Sequence, residues 1–445
     1  MSSNTREEID VASDTEVGSY FVANYPPFSV WTESAVDGLA RPALGKAPAD
    51  IPLGLYLHIP FCRKRCHFCY FRVYTDKNAS EVQSYLDTLA REWELYGEEP
   101  AIAGRPLDFI YFGGGTPSFL SVRQLKGLVD RLSAVRSWST ASEITFECEP
   151  GTLTEPKLAA IREMGVTRLS LGIEHFDDQV LEINGRAHRS AEIFRAYDFA
   201  RSINFPQINI DLIAGMLGET ENKWQDAVQK TLELSPDSVT IYQMELPFNT
   251  TISGDLLKGT GQFGQAVAPW ATKRRWVDDA FTLLEKAGYT VGSAYTAVKD
   301  PTRTTFVYRD RLWQGADLAG LGVASFGHIN GVHMQNLDSW KPYAEAIQNG
   351  QIPLNRAYQP TDEERMIREL VLQLKLGSIR PSYFQNKYQI DIRSRFAPPF
   401  ESLRQDGYID ELSTDTVRLS RDGLLRVDSL LPRFFLPAHT DIRYT

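Results

Sequence analysis

The sequence predicts an α/β protein: a partial (β/α)6 TIM-like barrel followed by a C-terminal winged-helix-like α+β module. Three observations support this fold class. Six short apolar runs alternate with amphipathic stretches between residues 51 and 300. No topological switch interrupts that spacing, which favours an open or complete barrel over a doubly wound sheet. Beyond residue 358 the pattern changes to several helices followed by two short strands.

The barrel prediction depends on βα units in series, which imply parallel strands and right-handed crossovers. The predicted strands span 53–59, 107–112, 143–147, 168–172, 207–213 and 238–242. The predicted helices span 80–96, 122–132, 155–163, 190–203, 221–234 and 272–287. In barrels of this kind chemistry occurs at the carboxyl ends of the strands.

The C-terminal module is predicted to contain helices at 361–376, 380–388 and 399–406, a hairpin at 407–419 and a last helix at 421–431. Helices with a small hairpin suggest a winged-helix-like arrangement. No dense basic stripe marks the third helix, so packing against protein is favoured over DNA binding. Four domain ranges follow. They are a partly disordered N-terminal extension at 1–50, the barrel at 51–300, a connector with a glycine-rich segment at 301–357, and the C-terminal module at 358–445.

Length and composition exclude several classes of protein. A chain of 445 residues favours more than one domain, and 42% hydrophobic with 23% charged residues is typical of globular proteins. The net charge of −10 argues against a general nucleic-acid binder. No apolar run reaches membrane-spanning length, and the polar N-terminus lacks a secretory pattern. We therefore expect a cytoplasmic monomer that acts on a small molecule.

Three of the four cysteines, Cys62, Cys66 and Cys69, lie on one short loop after the first strand. This Cys-x3-Cys-x2-Cys spacing provides three thiolates for a [4Fe-4S] cluster and leaves one iron open for a cofactor or substrate. The alternative is structural zinc, which requires a fourth ligand such as His67 or His58. No second Cys-x2-Cys pair exists to close such a site. Cys148 stands alone and is expected to be a buried apolar residue.

Other polar or glycine-rich positions follow the predicted strands. Gly113-Gly-Gly-Thr-Pro117 follows the second strand, and its glycines would allow a bound ligand to approach the backbone. Alone, it also fits a flexible turn. Glu147 and Asp211 end apolar strands, so they are either solvated carboxylates or buried acids that accept hydrogen bonds from a ligand. Glu174 and His175 follow the fourth strand.

The motifs resemble the radical S-adenosylmethionine (SAM) superfamily, specifically the oxygen-independent coproporphyrinogen III oxidase (coproporphyrinogen dehydrogenase)-like family. They occur in family order from about residue 50 to 440. The matching segments are Tyr56-x-His-Ile-Pro-Phe-Cys-x3-Cys-x-Phe-Cys69, Gly113-Gly-Gly-Thr-Pro-Ser118, Glu147-x-Glu-Pro-Gly-Thr152, Arg168-Leu-Ser-Leu-Gly-Ile173, Gly185-Arg-x-His188, Asn209-Ile-Asp-Leu-Ile-x-Gly215 and Leu321-Gly-Val-Ala-Ser325.

The resemblance implies a [4Fe-4S] cluster and SAM, possibly two SAM molecules, with an electron donor such as flavodoxin or ferredoxin. Electron transfer from the cluster would cleave SAM to a 5′-deoxyadenosyl radical. Cys62, Cys66 and Cys69 would be the metal ligands. The implied cofactor contacts are Tyr56, Phe68, Gly114, Gly115, Thr116, Glu147, Arg186, Asp211, Met244 and Phe326, the last beside a second SAM. The candidate catalytic residues are Tyr56, Glu174 and His175.

Within the family, the sequence departs from the coproporphyrinogen dehydrogenases at three places. Phe71 replaces a further cysteine, Glu174 replaces a usual glutamine, and the end of strand six, Tyr242-Gln-Met-Glu-Leu-Pro-Phe-Asn-Thr250, is closer to the other branches of the family. The segment from Glu147 to Thr152 likewise looks more like the haem-chaperone and methyltransferase branches. We therefore expect class C type methyl transfer or alkylation of an unsaturated or aromatic small molecule. One alternative is coproporphyrinogen III oxidation or other tetrapyrrole chemistry in porphyrin biosynthesis. The other, from a different class, is a haem-binding chaperone.

Replacing Cys62, Cys66 or Cys69 with serine is expected to abolish SAM cleavage, because the cluster would lose an iron ligand. The measurements are iron content, iron–sulfur absorbance and 5′-deoxyadenosine formation. Cys148→Ser is the matched control and should keep the cluster. Loss of iron–sulfur absorbance in that variant would show that Cys148 is a ligand or that folding depends on it.

Overall fold

The computed structural model describes residues 15–48, 50–261, 263, 267–440 and 442. Its centre is a parallel sheet whose first six strands lie side by side in chain order. They are β1 (Leu53–Ile59), β2 (Phe109–Gly114), β3 (Glu143–Cys148), β4 (Arg168–Glu174), β5 (Gln207–Ala214) and β6 (Ser238–Gln243). Each pairs in parallel with the next. The predicted (β/α) arrangement is confirmed, with boundaries shifted by at most two residues.

Helices connect these strands and cover the outside of the sheet. They span Ala79–Glu98, Val122–Val135, Glu155–Glu163, Asp178–Ile183, Ser190–Ser202, Glu221–Leu234, Thr251–Lys258 and Trp270–Lys286. The first begins at Asn78, whose side chain accepts hydrogen bonds from the backbone N–H groups of Ser80 and Glu81. Leu86, Leu89 and other apolar side chains of this helix are buried in the core. The two short helices, Asp178–Ile183 and Thr251–Lys258, were not predicted.

The sheet continues beyond both edges of the six-stranded core. Next to β6 lie the antiparallel strands β7 (Thr290–Val291) and β8 (Thr296–Val298). On the other side β9 (Asp317–Leu321) pairs in parallel with β1. It is followed by the antiparallel strands β10 (Phe326–Ile329), β11 (Val332–Asn336) and β12 (Leu354–Tyr358). The twelve-stranded order runs from β12 to β7 without closing, so the barrel is partial.

Residues 301–357, expected from the sequence to be a connector, therefore contain four strands and the helices Val307–Trp313 and Trp340–Gln348. The sequence pattern gave no strand signal here. The strand β10 reads Phe-Gly-His-Ile and β11 reads Val-His-Met-Gln-Asn. Both are buried on nearly every residue, so no alternation of apolar and polar residues marks them.

The C-terminal module has an apolar cluster of its own. Its helices span Asp362–Leu374, Pro381–Tyr388, Ile392–Arg395, Ala397–Gln405, Arg421–Leu425 and Val427–Leu430. The strands β13 (Ser378–Ile379), β14 (Ile409–Leu412) and β15 (Val417–Leu419) form a small antiparallel sheet with β15 in the middle. Helices with a small sheet match the predicted composition of this module. The last predicted helix is divided in two at Arg426.

The N-terminal segment links the barrel to this module. Most of the tail predicted to be disordered lies outside the described residues. From residue 15 onward the chain is packed: the Gly18 N–H donates to the Leu246 carbonyl over 2.8 Å. Val22 and Tyr25 are buried in the C-terminal cluster. The segment then forms helical turns at Val36–Ala40 and Arg41–Leu44. Among the described residues no helix is long and apolar enough to cross a membrane.

A buried carboxylate ties the helix Ala79–Glu98 to the strands beyond β1. Glu92 is fully buried. It accepts hydrogen bonds from the Gly322 N–H at 2.8 Å, Tyr343 Oη at 2.5 Å and Asn336 Nδ2 at 2.6 Å. Burial raises the pKa of Glu92 to about 7 despite these three donors.

Replacing Glu92 with alanine is expected to lower the free energy of unfolding by about 3 kcal/mol or more, because three buried donors lose their acceptor. Chemical denaturation monitored by circular dichroism measures this change. The control is Glu94→Ala on the same helix, whose carboxylate pairs with Arg91 and Arg131 at the surface. It should cost less than about 1 kcal/mol. Equal losses in the two variants would contradict the assigned role of Glu92.

Candidate functional site

A cavity of about 400 Å³ opens at the carboxyl ends of the parallel strands. Apart from Tyr56, His175 and Phe326, every site residue predicted from the sequence lines it. These are Cys62, Cys66, Phe68, Cys69, Gly114, Gly115, Thr116, Glu147, Glu174, Arg186, Asp211 and Met244. Residues on or after all six parallel strands thus meet around one space, as the βα spacing predicts.

The cysteine loop is held between β1 and β2. The Cys62 N–H donates to the Tyr74 carbonyl, and the Tyr74 N–H donates to the Pro60 carbonyl. Gly115 packs directly against this loop. A Cβ there would lie 3.0 Å from Cys62 Sγ and 2.9 Å from the Ile59 carbonyl oxygen. A larger residue at 115 would therefore push the first cysteine out of place.

The environment of the sulfurs fits iron-bound thiolates. Thr116 Oγ1 donates to Cys62 Sγ over 3.3 Å, and Arg186 Nη1 donates to Cys66 Sγ over 3.4 Å. Burial raises the pKa of Cys62 to about 11 and that of Cys69 to about 12, so the thiolates require a metal to form at neutral pH. No group of three His, Cys, Asp or Glu side chains in the described residues is arranged for a single metal ion. A [4Fe-4S] cluster does not require three side chains to converge on one ion, because each cysteine thiolate binds a different iron of the cluster.

Two carboxylates, Glu147 and Asp211, line the cavity from β3 and β5. Glu147 accepts hydrogen bonds from Tyr111 Oη at 2.6 Å and from the Gly114 N–H at 3.2 Å. Asp211 accepts hydrogen bonds from Ser170 Oγ and from Asn209 Nδ2, each over 2.8 Å. Burial raises the pKa of both, that of Glu147 to about 7. Each carboxylate has room for further donors, such as the hydroxyl groups of a ribose.

Arg186 places a buried positive charge beside the cysteines. Its Nη2 donates to the Gly172 carbonyl, and its Nη1 lies 3.6 Å from Glu174 Oε1. Its Nε is buried and has no hydrogen-bond acceptor among the described residues. A ligand carboxylate would satisfy this donor. Glu174 has a φ of 66°, and burial raises its pKa to about 7.

The structure adds a buried ion-pair cluster that the sequence did not indicate. Glu149 accepts hydrogen bonds from Arg63 Nη2 at 2.7 Å, and its Oε1 lies 3.3 Å from His188 Nδ1. Burial alone would raise the pKa of Glu149, but the hydrogen bonds from His188 and Arg63 outweigh it and hold the pKa near 2. Glu149 and His188 each belong to a motif quoted in the sequence analysis, but the sequence did not show that the two side chains meet.

Three predicted site residues lie outside the cavity. The ring of Tyr56 stacks on that of Tyr111, which lines the cavity, and Tyr56 Oη lies 3.3 Å from His58 Nδ1. The ring of His175 is fully buried, and its Nε2 lies 3.1 Å from Glu219 Oε1. His175 as a catalytic residue stays a prediction, and its side chain lies outside the cavity.

Phe326, the third, packs against an aromatic side chain of the N-terminal segment. Its ring lies 4.2 Å from Phe28 between centroids. The cavity is also lined by residues that were not named as site residues from the sequence. Some lie beside predicted motifs or strand ends (Tyr70, Arg168, Tyr242, Gln243 and Glu245), and Phe21 and Phe306 come from distant segments.

Comparisons with known proteins agree with this geometry. Residues 56–231 match the model of the radical SAM superfamily. The haem chaperone HemW of Bacillus subtilis is 29% identical, over 83% of this chain and 96% of its own. The oxygen-independent coproporphyrinogen III oxidase of Synechocystis is 27% identical, over 84% of this chain and 80% of its own. The solved structure of coproporphyrinogen III oxidase (HemN) from Escherichia coli superimposes with a TM-score of 0.80 over 92% of this chain and 96% of its own, at 24% identity.

These relatives are oxidases and a haem chaperone, so the expectation of class C methyl transfer finds no support in them, and the tetrapyrrole alternative fits better. Radical SAM proteins use a [4Fe-4S] cluster and SAM, and the residues around the cavity fit both. Residues 56–231 therefore form a radical SAM domain, and over most of its length the chain is similar to oxygen-independent coproporphyrinogen III oxidases and to a haem chaperone.

Proposed function

We propose that the protein is a radical SAM enzyme that decarboxylates a propionate side chain of a tetrapyrrole, coproporphyrinogen III or a close analogue. One observation supports this most strongly. The cysteine loop, the glycine loop and two buried acids surround one cavity, in a chain whose relatives over about four fifths of its length include coproporphyrinogen III oxidases.

When bound, the cluster and SAM would supply a one-electron cleavage and a radical that removes hydrogen from the substrate. Loss of a hydrogen atom and of CO2 converts a propionate into a vinyl group and releases one electron to an acceptor. In this proposal Cys62, Cys66 and Cys69 hold the cluster. Arg186 binds a carboxylate through its unpartnered Nε, and Glu147 and Asp211 accept hydrogen bonds from hydroxyl groups.

The charge around the cavity suits an acidic substrate. The chain as a whole carries −10, yet the cysteine loop contains the consecutive residues Arg63, Lys64 and Arg65, all of which line the cavity. Arg65 Nη2 is anchored to the carbonyls of Cys69 and Asn249. Five acids line the same cavity and Arg63 is paired with Glu149, so Lys64 and Arg65 are the cations of this loop that would contact a substrate carboxylate.

A haem-binding chaperone is the second candidate function. Two observations favour it: the match to HemW spans 96% of that protein, and Phe71 stands where the coproporphyrinogen dehydrogenases have a further cysteine. The two candidates share a tetrapyrrole ligand and differ in whether SAM is cleaved in its presence.

Reconstituted protein with reductant, SAM and coproporphyrinogen III under anaerobic conditions is expected to release CO2 and 5′-deoxyadenosine in comparable amounts, since each propionate lost consumes one radical. Gas analysis and chromatography measure the two products, and Cys66→Ser provides the blank. Intact SAM together with tight haem binding would favour the chaperone. Transfer of label from deuterated-methyl SAM, without CO2, would contradict decarboxylation.

Arg186→Gln is expected to lower SAM cleavage by about a hundredfold or more, because the buried charge-assisted contact to a carboxylate is lost. The readouts are the Kd for SAM and the rate of 5′-deoxyadenosine formation, with iron and sulfide content measured to confirm that the cluster is intact. Arg189→Gln is the matched control, since that side chain is partly exposed and pairs with Glu182. If both variants keep full activity, Arg186 does not bind the cofactor.

A further inference from the structure

A second cavity of about 240 Å³ lies where the barrel, the N-terminal segment and the C-terminal module meet. Phe21, Gln243 and Glu245 line both this cavity and the one at the strand ends. These three residues, the shared wall, come from the N-terminal segment, from the end of β6 and from the residues that follow it. A ligand in one cavity therefore touches the same side chains as a ligand in the other.

The shared wall is held by contacts to all three parts of the chain. Phe21 packs edge-to-face on Tyr242, at 5.6 Å between centroids, and on Tyr295, at 5.7 Å. Gln243 Nε2 donates to the Leu425 carbonyl over 2.7 Å. These contacts fix the side chains of Phe21 and Gln243.

Two acceptors on the wall lack donors. Gln243 Oε1 and Glu245 Oε2 are buried and have no hydrogen-bond partner among the described residues. The nearby ammonium of Lys273 donates to Thr15 Oγ1 and to the Met244 carbonyl, each over 2.6 Å, and makes no hydrogen bond to Glu245 Oε2. Buried acceptors are nearly always paired in folded proteins, so these two can accept hydrogen bonds from N–H or O–H groups of a ligand.

The rest of the second cavity favours a flat ring over a carboxylate. Trp270 and Tyr295 provide aromatic walls. Arg426 is engaged by Asp422, and the guanidinium of Arg274 lies over the Trp270 ring at 5.4 Å. Asp428 is paired with Lys375 Nζ at 2.7 Å. Lys273 Nζ lies 3.4 Å from the Trp270 centroid and Lys375 Nζ lies 5.4 Å from the Tyr295 centroid. A ligand therefore meets the two acceptors and the parts of these rings that line the cavity and are not covered by the lysines.

We propose that the second cavity is a substrate subsite that binds an N–H-bearing pyrrole ring, while the reacting side chain lies in the first cavity. The pyrrole N–H groups donate to Gln243 Oε1 and Glu245 Oε2, and the ring packs against Trp270 and Tyr295. The identification of the ring as a pyrrole rests on the proposed tetrapyrrole substrate. The two unpaired acceptors and the aromatic side chains are features of the structure and do not depend on that proposal.

The test uses two variants of the full-length reconstituted protein. Ser429→Trp fills the second cavity from its exposed rim, where Ser429 Oγ donates only to the neighbouring Arg426 carbonyl. Glu245→Gln keeps the size of the side chain and weakens the acceptor. The control is Ser394→Trp, at an exposed serine of the same module whose hydroxyl likewise bonds locally, to Asp391.

Each protein is titrated anaerobically with coproporphyrinogen III as the probe, in the absence of reductant, and is then assayed for turnover of the same compound. We expect Kd and KM to rise about tenfold or more in both test variants and to stay within about twofold of wild type in the control. Thermal unfolding confirms that each variant is folded, and Glu245→Gln remains informative if Ser429→Trp does not fold.

The outcomes separate the subsite from the proposed function. Wild-type turnover with unchanged Kd and KM in the test variants overturns the subsite and leaves the function standing. Absence of turnover, together with probe binding that the test variants weaken, supports the subsite and overturns the decarboxylase function. Absence of both turnover and probe binding overturns both.

Discussion

Parallel hydrogen bonding of each strand to the next, from β1 through β6, is the constraint on which the rest of the structure depends. In a parallel sheet all strands end at the same edge, so side chains that are far apart in sequence meet there. Cys62, Glu147 and Asp211 lie on or after three different strands yet line one cavity. The glycine loop after β2 adds a second condition, because Gly115 packs against Cys62 with no space for a Cβ.

Bringing these residues together at the carboxyl ends of the strands buries several ionisable side chains. Glu147 and Glu174 have pKa values raised to about 7 by burial, and Arg186 is the nearby cation that touches both Glu174 and a cysteine sulfur. Groups held this far from their ordinary titration range are typical of functional sites. Glu149 shows the opposite behaviour, because Arg63 and His188 supply direct donors. Pairing therefore decides which acid near the cluster loop stays charged.

The C-terminal module and the N-terminal segment belong to the same functional unit as the barrel. Phe21 reaches the cavity from the N-terminal side, and Gln243 bonds to the backbone of Leu425 in the module. Val22 and Tyr25 are buried in the module's own apolar cluster. Changes in the module can therefore alter the wall between the two cavities without touching the cysteine loop.

The sequence alone determined the features that depend on local pattern. These are the six βα units, the cysteine triplet, the glycine loop and the acids at strand ends, because each is encoded within a few consecutive residues. It did not indicate β9 to β12, of which β10 and β11 are buried on nearly every residue and lack alternation. It also could not show that His175 faces Glu219 and lies outside the cavity.

Only the tertiary structure decided which distant residues meet. Arg63 and Glu149 are 86 positions apart, and Gln243 and Leu425 are 182 positions apart. Such contacts depend on how strands and modules pack together, and the spacing of residues within a short stretch of sequence does not predict that packing. For the same reason the second cavity, which three separate parts of the chain enclose, was visible only in the folded protein.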